Sequence, residues 1–302
     1  MASPEAEAIK DAIRAFRATV VAQGQTVDEQ RTAANAGMSA MTTEPDGIAY
    51  EPAVAGGVPG QWVLPDGFDG DRTILYLHGG GYVIGNSDSH RKMVGHLAKA
   101  ATARALVLDY RLAPEHPHPA AVEDAVAAYQ SILADGHDAA NVFIAGDSAG
   151  GGLTAATLVS LRDQGIALPA GAFLLSPWTD LEGTGESMTA NAEADLMVGM
   201  DGLKPMSDAY LQGQDPRQPT AAPLYADLTG LPPLLIHVGG DETLLDDSTR
   251  LALSAQGVGV DATIEVFPEM QHVFQLSAGN MPEADDSLAR AGAWIAARSA
   301  GA

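Results

Sequence analysis

Apolar residues Ile9, Ile13, Phe16, Val20 and Val21 recur at spacings of three and four near the start of the chain, so residues 4 to about 40 are expected to be helical, with a second short helix following from Thr26. From about residue 47 the texture changes. Short apolar or alternating runs broken by Gly and Pro, GIAYEPAVAGG and GQWVLPDG, predict a first hairpin. Beyond Asp71 a short apolar strand followed by a longer helical segment becomes the repeating order. It runs TILYL and a helix near 88–102, ALVLDY and a helix near 119–134, NVFIAG and a helix near 149–164, then GAFLLSPW. PLLIHVGG with a helix near 244–256 and ATIEVFP with a helix near 282–298 complete it. Strands alternating with helices of this length predict βαβ units and a mostly parallel sheet covered on both faces, an α/β class.

One stretch breaks the alternation. About 55 residues from Thr179 to Pro233 separate two apolar strands and hold helical patterns near 187–196 and 201–212, too long for a plain crossover. An insertion at about 180–230, together with N-terminal helices over residues 1–45, is expected to cap the strand ends of a main domain spanning 46–302.

Composition narrows the function classes. With 16 Lys+Arg against 39 Asp+Glu among 302 residues the formal charge is −23, which repels phosphate backbones and anionic head groups, so neither nucleic acid nor a membrane surface is an expected partner. Hydrophobic residues at 46% and charged residues at 18% are globular composition. Cys is absent, which removes thiolate nucleophiles, thiolate zinc sites and disulfides. The opening MASPEAEAIKDAIRAF carries acids and Lys10 where a secretory signal needs an apolar run, and no stretch approaches the roughly 18 apolar residues of a membrane helix; a soluble, cytoplasmic protein is expected.

The chemistry sits at strand ends. Gly146-Asp147-Ser148-Ala149-Gly150 matches G-x-S-x-G where the strand NVFIA meets the helix GGLTAATLVSL, the context of a nucleophile elbow. A phosphate loop is the competing reading, but neither G-x-G-x-x-G nor G-x-x-x-x-G-K-[ST] is spelled there. His78-Gly79-Gly80-Gly81 follows TILYL about 70 residues before Ser148. Three consecutive Gly let backbone N–H groups face a developing oxyanion, each worth about 3 to 4 kcal/mol in the transition state. Gly80 and Gly81 are the expected donors, with Ala149 as the third, and His78 is expected to shape the loop.

A serine hydroxyl needs a histidine base and a carboxylate, in the chain order Ser, acid, His. Only His237 and His272 lie downstream of Ser148. His237 falls inside the apolar strand PLLIHVGG and reads as a core residue, whereas His272 in FPEMQHVF lies on a loop before the last helix and is the expected base. The acid must follow Gly239-Gly240, in GGDETLLDD. Asp246 and Asp247 suit the start of the next helix, where carboxylates favour the N-terminal dipole. Composition leaves Asp241 and Glu242 open.

These residues resemble the bacterial hormone-sensitive-lipase-like esterases, a branch of the α/β-hydrolases: HGGGYVIGN, DYRLAPEHPHPA, GDSAGGGL, GGDETLLDD and MQHVF occur in the family's order over most of the chain. The resemblance implies an α/β-hydrolase fold with an eight-stranded, mostly parallel central sheet and a helical cap. It implies Ser148 and His272 as catalytic residues and Gly80, Gly81 and Ala149 as the oxyanion hole, with Arg111 and Glu115 in a structural network under the site. His116 and His118 need not be a metal pair. The family's Asp-Pro-Leu-x-Asp pattern is altered here, but its spacing to Leu244 and Asp246 falls on Glu242, which is therefore the implied acid. The GQWVLPDG and LLDD segments are also similar to monoterpene lactone hydrolases, which brings in lactones.

The expected function is carboxylic ester hydrolysis of small, short-acyl esters through an acyl-enzyme, with no cofactor and no metal, in a chain that forms a homodimer. An amidase or formamidase on the same machinery is the alternative, and a ligand receptor without turnover is the other; loss of the base would mark the receptor, and His272 is present.

Overall fold

A computed structural model of the chain describes residues 1–19, 26–68 and 70–299, so Val20 and Val21 of the expected first helix lie outside the described residues. Two helices come first, α1 (Pro4–Thr19) and α2 (Val27–Met41). The second begins at a capping box, Thr26 accepting from the Glu29 N–H while the Glu29 carboxylate accepts from the Thr26 N–H, which satisfies two donors that a helix start leaves unpaired.

Eight strands then form one sheet: β1 (Ile48–Ala55), β2 (Val58–Pro65), β3 (Thr73–Leu77), β4 (Arg104–Leu108), β5 (Val142–Asp147), β6 (Gly171–Leu175), β7 (Leu234–Gly239) and β8 (Ala262–Phe267). Their order is β1-β2-β4-β3-β5-β6-β7-β8. β2 pairs antiparallel with both of its neighbours and every other pairing is parallel. The expected hairpin is thus the antiparallel edge of a parallel sheet, an α/β-hydrolase architecture.

Burial explains the strand texture. β3, β5, β6 and β7 are buried at every residue, so they read as continuous apolar runs rather than alternating ones. Alternate side chains still go to opposite faces. Leu75, Leu77, Ile144 and Leu174 join the core under α4 (Ala120–Ala134) and α5 (Ala149–Asp163). Ile74, Tyr76, Phe143 and Phe173 join the core under α3 (Ser87–Ala101) and the C-terminal helix (Pro282–Ala296).

The expected pattern near 187–196 is helical only over Ser187–Ala190, here α6. Beyond it the polar side chains of Asn191 and Asp195 bond to backbone groups instead of leaving the chain free to continue the ladder. The second pattern forms α7 (Met200–Leu211), and α8 (Leu245–Gly257) carries Asp246 and Asp247 in its first turn as expected. The last helix, α9, ends at Ala296 rather than 298. Among the described residues no helix is long and apolar enough to cross a membrane.

The topology places the site. From β3 the chain goes to β4 on one side and returns to β5 on the other, so β3 and β5 are neighbours at a switch point whose C-terminal crevice is open. The loops that leave these two strands are the Gly-rich loop after His78 and the elbow at Ser148.

Candidate active site

Ser148 stands between β5 and α5 with φ 53 and ψ −120, backbone that an L residue adopts only when its surroundings hold it there. They do. Its N–H donates to the Leu175 carbonyl at 2.8 Å, and its carbonyl accepts from Gly152 at 3.0 Å and Trp178 at 2.8 Å. Its hydroxyl does not cap α5. The elbow requires glycine behind it: a Cβ on Gly150 would lie 1.9 Å from the Leu77 carbonyl oxygen, backbone that cannot retreat. Ala149, the first residue of α5, presents its N–H at the helix N-terminus, where no intrahelical acceptor exists.

The glycine loop is tied to the elbow by Asp147, a residue that the sequence reading passed over as the variable position of the motif. This buried carboxylate accepts from the Gly79 N–H at 3.0 Å, the Tyr76 hydroxyl at 2.8 Å and His90 Nε2 at 3.3 Å. Burial pulls its acidity toward the neutral form, but His90, Tyr76 and His78 outweigh that and hold it below the usual carboxylate range. With the Gly79 N–H occupied, the chain turns through φ 110 at Gly80 and φ 62 at Gly81, both left-handed. His78 shapes the loop from inside, its Nδ1–H donating to the Gly79 carbonyl at 2.7 Å and its ring stacking on Tyr110 at 4.2 Å. Burial pushes it down to about 3, so it stays neutral.

His272 and Glu242 meet across the rim. The imidazole Nδ1–H donates to Glu242 Oε2 at 2.8 Å, and both side chains are buried. The other carboxylate oxygen of Glu242 accepts from the Gly239 N–H at 2.5 Å and from the Ser176 hydroxyl at 2.6 Å. Burial raises the Glu242 pKa more than these partners lower it. Burial alone would lower His272, but the Glu242 carboxylate, with Asp195 and Asp147 adding to it, raises it above its ordinary value. Asp241, the other acid left open by composition, does not face the imidazole; it takes Lys10 Nζ and Gln271 Nε2, each at 3.4 Å.

Ser176 is a member of the site that sequence reasoning missed. It sits directly after β6 at φ 44, beside Leu175, which accepts the Ser148 N–H. Its hydroxyl donates to Glu242 and accepts the N–H of Val273, next to His272, at 3.2 Å. A chain of hydrogen bonds thus links the elbow, the acid turn and the histidine loop along neighbouring strand ends. The only signal was its place at the end of an apolar strand in line with the other two.

Arg111 and Glu115, expected in a structural network under the site, are each ion-paired, but with different partners. Arg111 turns to α4 and binds Asp124 and Glu123, while Glu115 is bound bidentately by Arg31 of α2 at 2.9 and 2.7 Å. His118 spends its two ring nitrogens on Gln214 and Thr220, each at 3.0 Å. Beside His272 a small hollow, partly open to solvent, is walled by Ile9 and Ile13 of α1, Met197, Met270, Phe274 and Met281, with Lys10 also lining it.

A model of the alpha/beta hydrolase fold matches residues 74–276. The chain is 47% identical over 235 residues to an acetyl-hydrolase of Streptomyces hygroscopicus, covering 78% of each, and 34% identical over 265 residues to the esterase LipU of Mycobacterium tuberculosis, covering 85% of this chain and 88% of that one. It superposes on a crystal structure of an esterase from the bacterial hormone-sensitive lipase family with a TM-score of 0.94 and 47% identity over 99% of both chains. On a crystal structure of EstE5 soaked by p-nitrophenyl butyrate the TM-score is 0.91 with 44% identity over 98% of this chain and 99% of that one. With the strand-end constellation above, these likenesses identify an ester hydrolase, and the chain belongs to the α/β-hydrolases, in the branch of the bacterial hormone-sensitive-lipase-like esterases.

Proposed function

We propose that the protein hydrolyses small esters with short acyl chains through a covalent acyl-enzyme on Ser148. The observation that carries this reading is the buried His272–Glu242 pair on the same strand-end rim as a serine held in strained geometry. His272 Nε2 takes the Ser148 proton as Oγ attacks the ester carbonyl, and the Glu242 carboxylate holds the ring tautomer and stabilises the imidazolium. The carbonyl oxygen becomes an oxyanion bound by the N–H groups of Gly80, Gly81 and Ala149, together worth several kcal/mol at about 3 to 4 kcal/mol per donor. Collapse expels the alkoxide, which takes the proton back from His272. Water then attacks the acyl-enzyme by the same route in reverse roles.

The acetyl-hydrolase relative supports a substrate with a short acyl part. Lactones fit the same chemistry, since ring opening leaves the alcohol on the acyl group, and they form one arm of a substrate panel. Ser148→Ala is expected to remove hydrolysis of p-nitrophenyl acetate and butyrate while thermal unfolding stays cooperative; turnover that survives in a folded variant rejects the mechanism.

A further inference from the structure

The stretch Asn191–Val198 of the insertion lies across both loops that carry the acid and the base. Asn191 Nδ2 donates to the carbonyls of Gly240 at 3.2 Å and Glu242 at 2.8 Å. Asp195 Oδ2 accepts from the N–H of Thr243 at 2.8 Å and from its hydroxyl at 3.0 Å, fixing the residue next to Glu242. Its other oxygen accepts from the N–H groups of Met197 and Val198 at 2.8 and 2.9 Å. On the histidine side the Leu196 N–H donates to Gln271 Oε1 at 2.6 Å, and Gln271 Nε2 donates to the Ala194 carbonyl at 3.0 Å. One polar segment therefore grips the turn that holds Glu242 and the residue that precedes His272.

Asp195 is the charged member of this grip. It is buried, and its four hydrogen bonds come from neutral donors, two of them on Thr243 next to Glu242. Glu242 from the acid turn bonds the imidazole of His272, and the charges of Asp147 from the elbow and Asp195 from the insertion add to its effect; Lys10 of α1 lines the adjoining hollow but is ion-paired with Glu7 and Asp241. When His272 becomes an imidazolium in the transition state, a fixed buried carboxylate that is ion-paired with no cation among the described residues stabilises it.

We infer that Asp195 is a positioning residue of the hydrolysis, holding Thr243 and hence Glu242 in place and adding its own buried charge to those of Glu242 and Asp147 around His272. This rests on the reading of Ser148, Glu242 and His272 given above. It also makes the insertion, rather than the sheet alone, responsible for aligning the acid with the base.

The test is the pH dependence of labelling by a p-nitrophenyl phosphonate, with the modified residue located by mass spectrometry. Labelling requires a neutral His272, so the acid limb of its rate reports that group. Asp195→Asn is expected to slow labelling about tenfold and to move the limb toward acid pH by about half a unit, since removing a negative charge lowers the histidine pKa. Asp195→Glu, which restores the charge, should return the limb toward its original place. An unchanged rate and limb in Asp195→Asn overturns the inference, as does a slower rate with an unmoved limb, which marks a merely structural residue. If Asp195→Asn does not fold, Thr243→Val removes one donor and keeps the carboxylate; it should slow labelling severalfold without moving the limb, and an unchanged rate overturns the inference. Wild-type protein labelled elsewhere than Ser148 instead defeats the mechanism itself, and the inference falls with it.

Discussion

Asp241 and Glu242 are adjacent carboxylates with unlike surroundings. Glu242 is buried against His272, Ser176 and the Gly239 N–H, whereas Asp241 remains partly exposed and answers Lys10 and Gln271. Exchanging Glu242 for Gln keeps the shape but offers the imidazole a neutral partner and permits the wrong tautomer, so kcat should fall by about 10² to 10⁴. Asp241→Asn loses only a long, partly screened ion pair and should stay within a few-fold of wild type. Steady-state hydrolysis of p-nitrophenyl butyrate by both variants decides it; loss confined to Asp241→Asn would reverse the assignment. The same residues show what a sequence discloses about a site. Ser148 was legible because its glycine neighbours answer a backbone demand, and His272 because few histidines follow it. The choice of Glu242 needed a spacing borrowed from relatives. Asp147 and Ser176 were not legible, because a hydrogen bond between the ends of two strands leaves no local pattern.

Between elements, α2 holds the glycine loop from outside. Arg31 Nε donates to the Val83 carbonyl at 2.8 Å and Nη2 to the Ala113 carbonyl at 2.9 Å, while both terminal nitrogens bind Glu115, whose carboxyl they hold down at about 2. Asn35 of the same helix accepts the Gly85 N–H at 3.0 Å. From the other side α7 sets Tyr210 against Tyr82, ring centroids 3.8 Å apart. Glu115 is half exposed, so its ion pair contributes little; the bonds to backbone carbonyls matter more, at about 1 kcal/mol each. Arg31→Met should therefore lower stability by about 1 to 3 kcal/mol and slow acylation more than it changes KM, because the loop bearing Gly80 and Gly81 loses its outer clasp. Arg31→Lys should not rescue it, since an ammonium cannot span Val83, Ala113 and Glu115 together. Pre-steady-state acylation rates and thermal melts test this, and a variant equal to wild type in both would exclude a role for α2. The helix itself was foreseen from Thr26, yet none of its residues is buried, so its apolar pattern gave no hint of what it binds. Likewise the pattern near 187–196 suggested a longer helix, because Asn191 and Asp195 act through contacts with the distant acid turn that no local periodicity encodes.

Over the whole molecule, pH couples buried groups to stability. His78 and His237 are both pushed down to about 3, chiefly by burial, with His90 near the first and Arg290 near the second. Their folded values lie below the unfolded value of about 6.5, so between those limits the unfolded chain binds more protons. Stability is then lost as pH falls, by about 1.4 kcal/mol per pH unit for each histidine. Asp247 acts in the opposite sense. Burial raises it to about 7 despite N–H bonds from Thr179 and Asp180, so the folded state binds the extra proton between about 3.9 and 7 and stability falls as pH rises. Below about 6.5 the two histidines oppose Asp247 and, just above its ordinary range, Glu242, while Asp147 and Asp180, both held low, add to the loss at the acid end. Above that pH the contribution of the two histidines ends, and Asp247 and His272, both held above their ordinary values, each favour the protonated folded state. Self-repulsion from a formal charge of −23 adds to that decline. The melting temperature should thus peak at about pH 6.5 and fall on both sides, with added salt recovering part of the alkaline loss as the screening length shrinks. His237→Gln should make the acid side shallower by about 1.4 kcal/mol per pH unit and leave the alkaline side unmoved, whatever its effect at the peak. Unfolding free energies measured in urea from pH 4 to pH 9, an assay range chosen to span both limbs, test the assignment: an acid slope identical to wild type would show that His237 is not the buried proton acceptor described here.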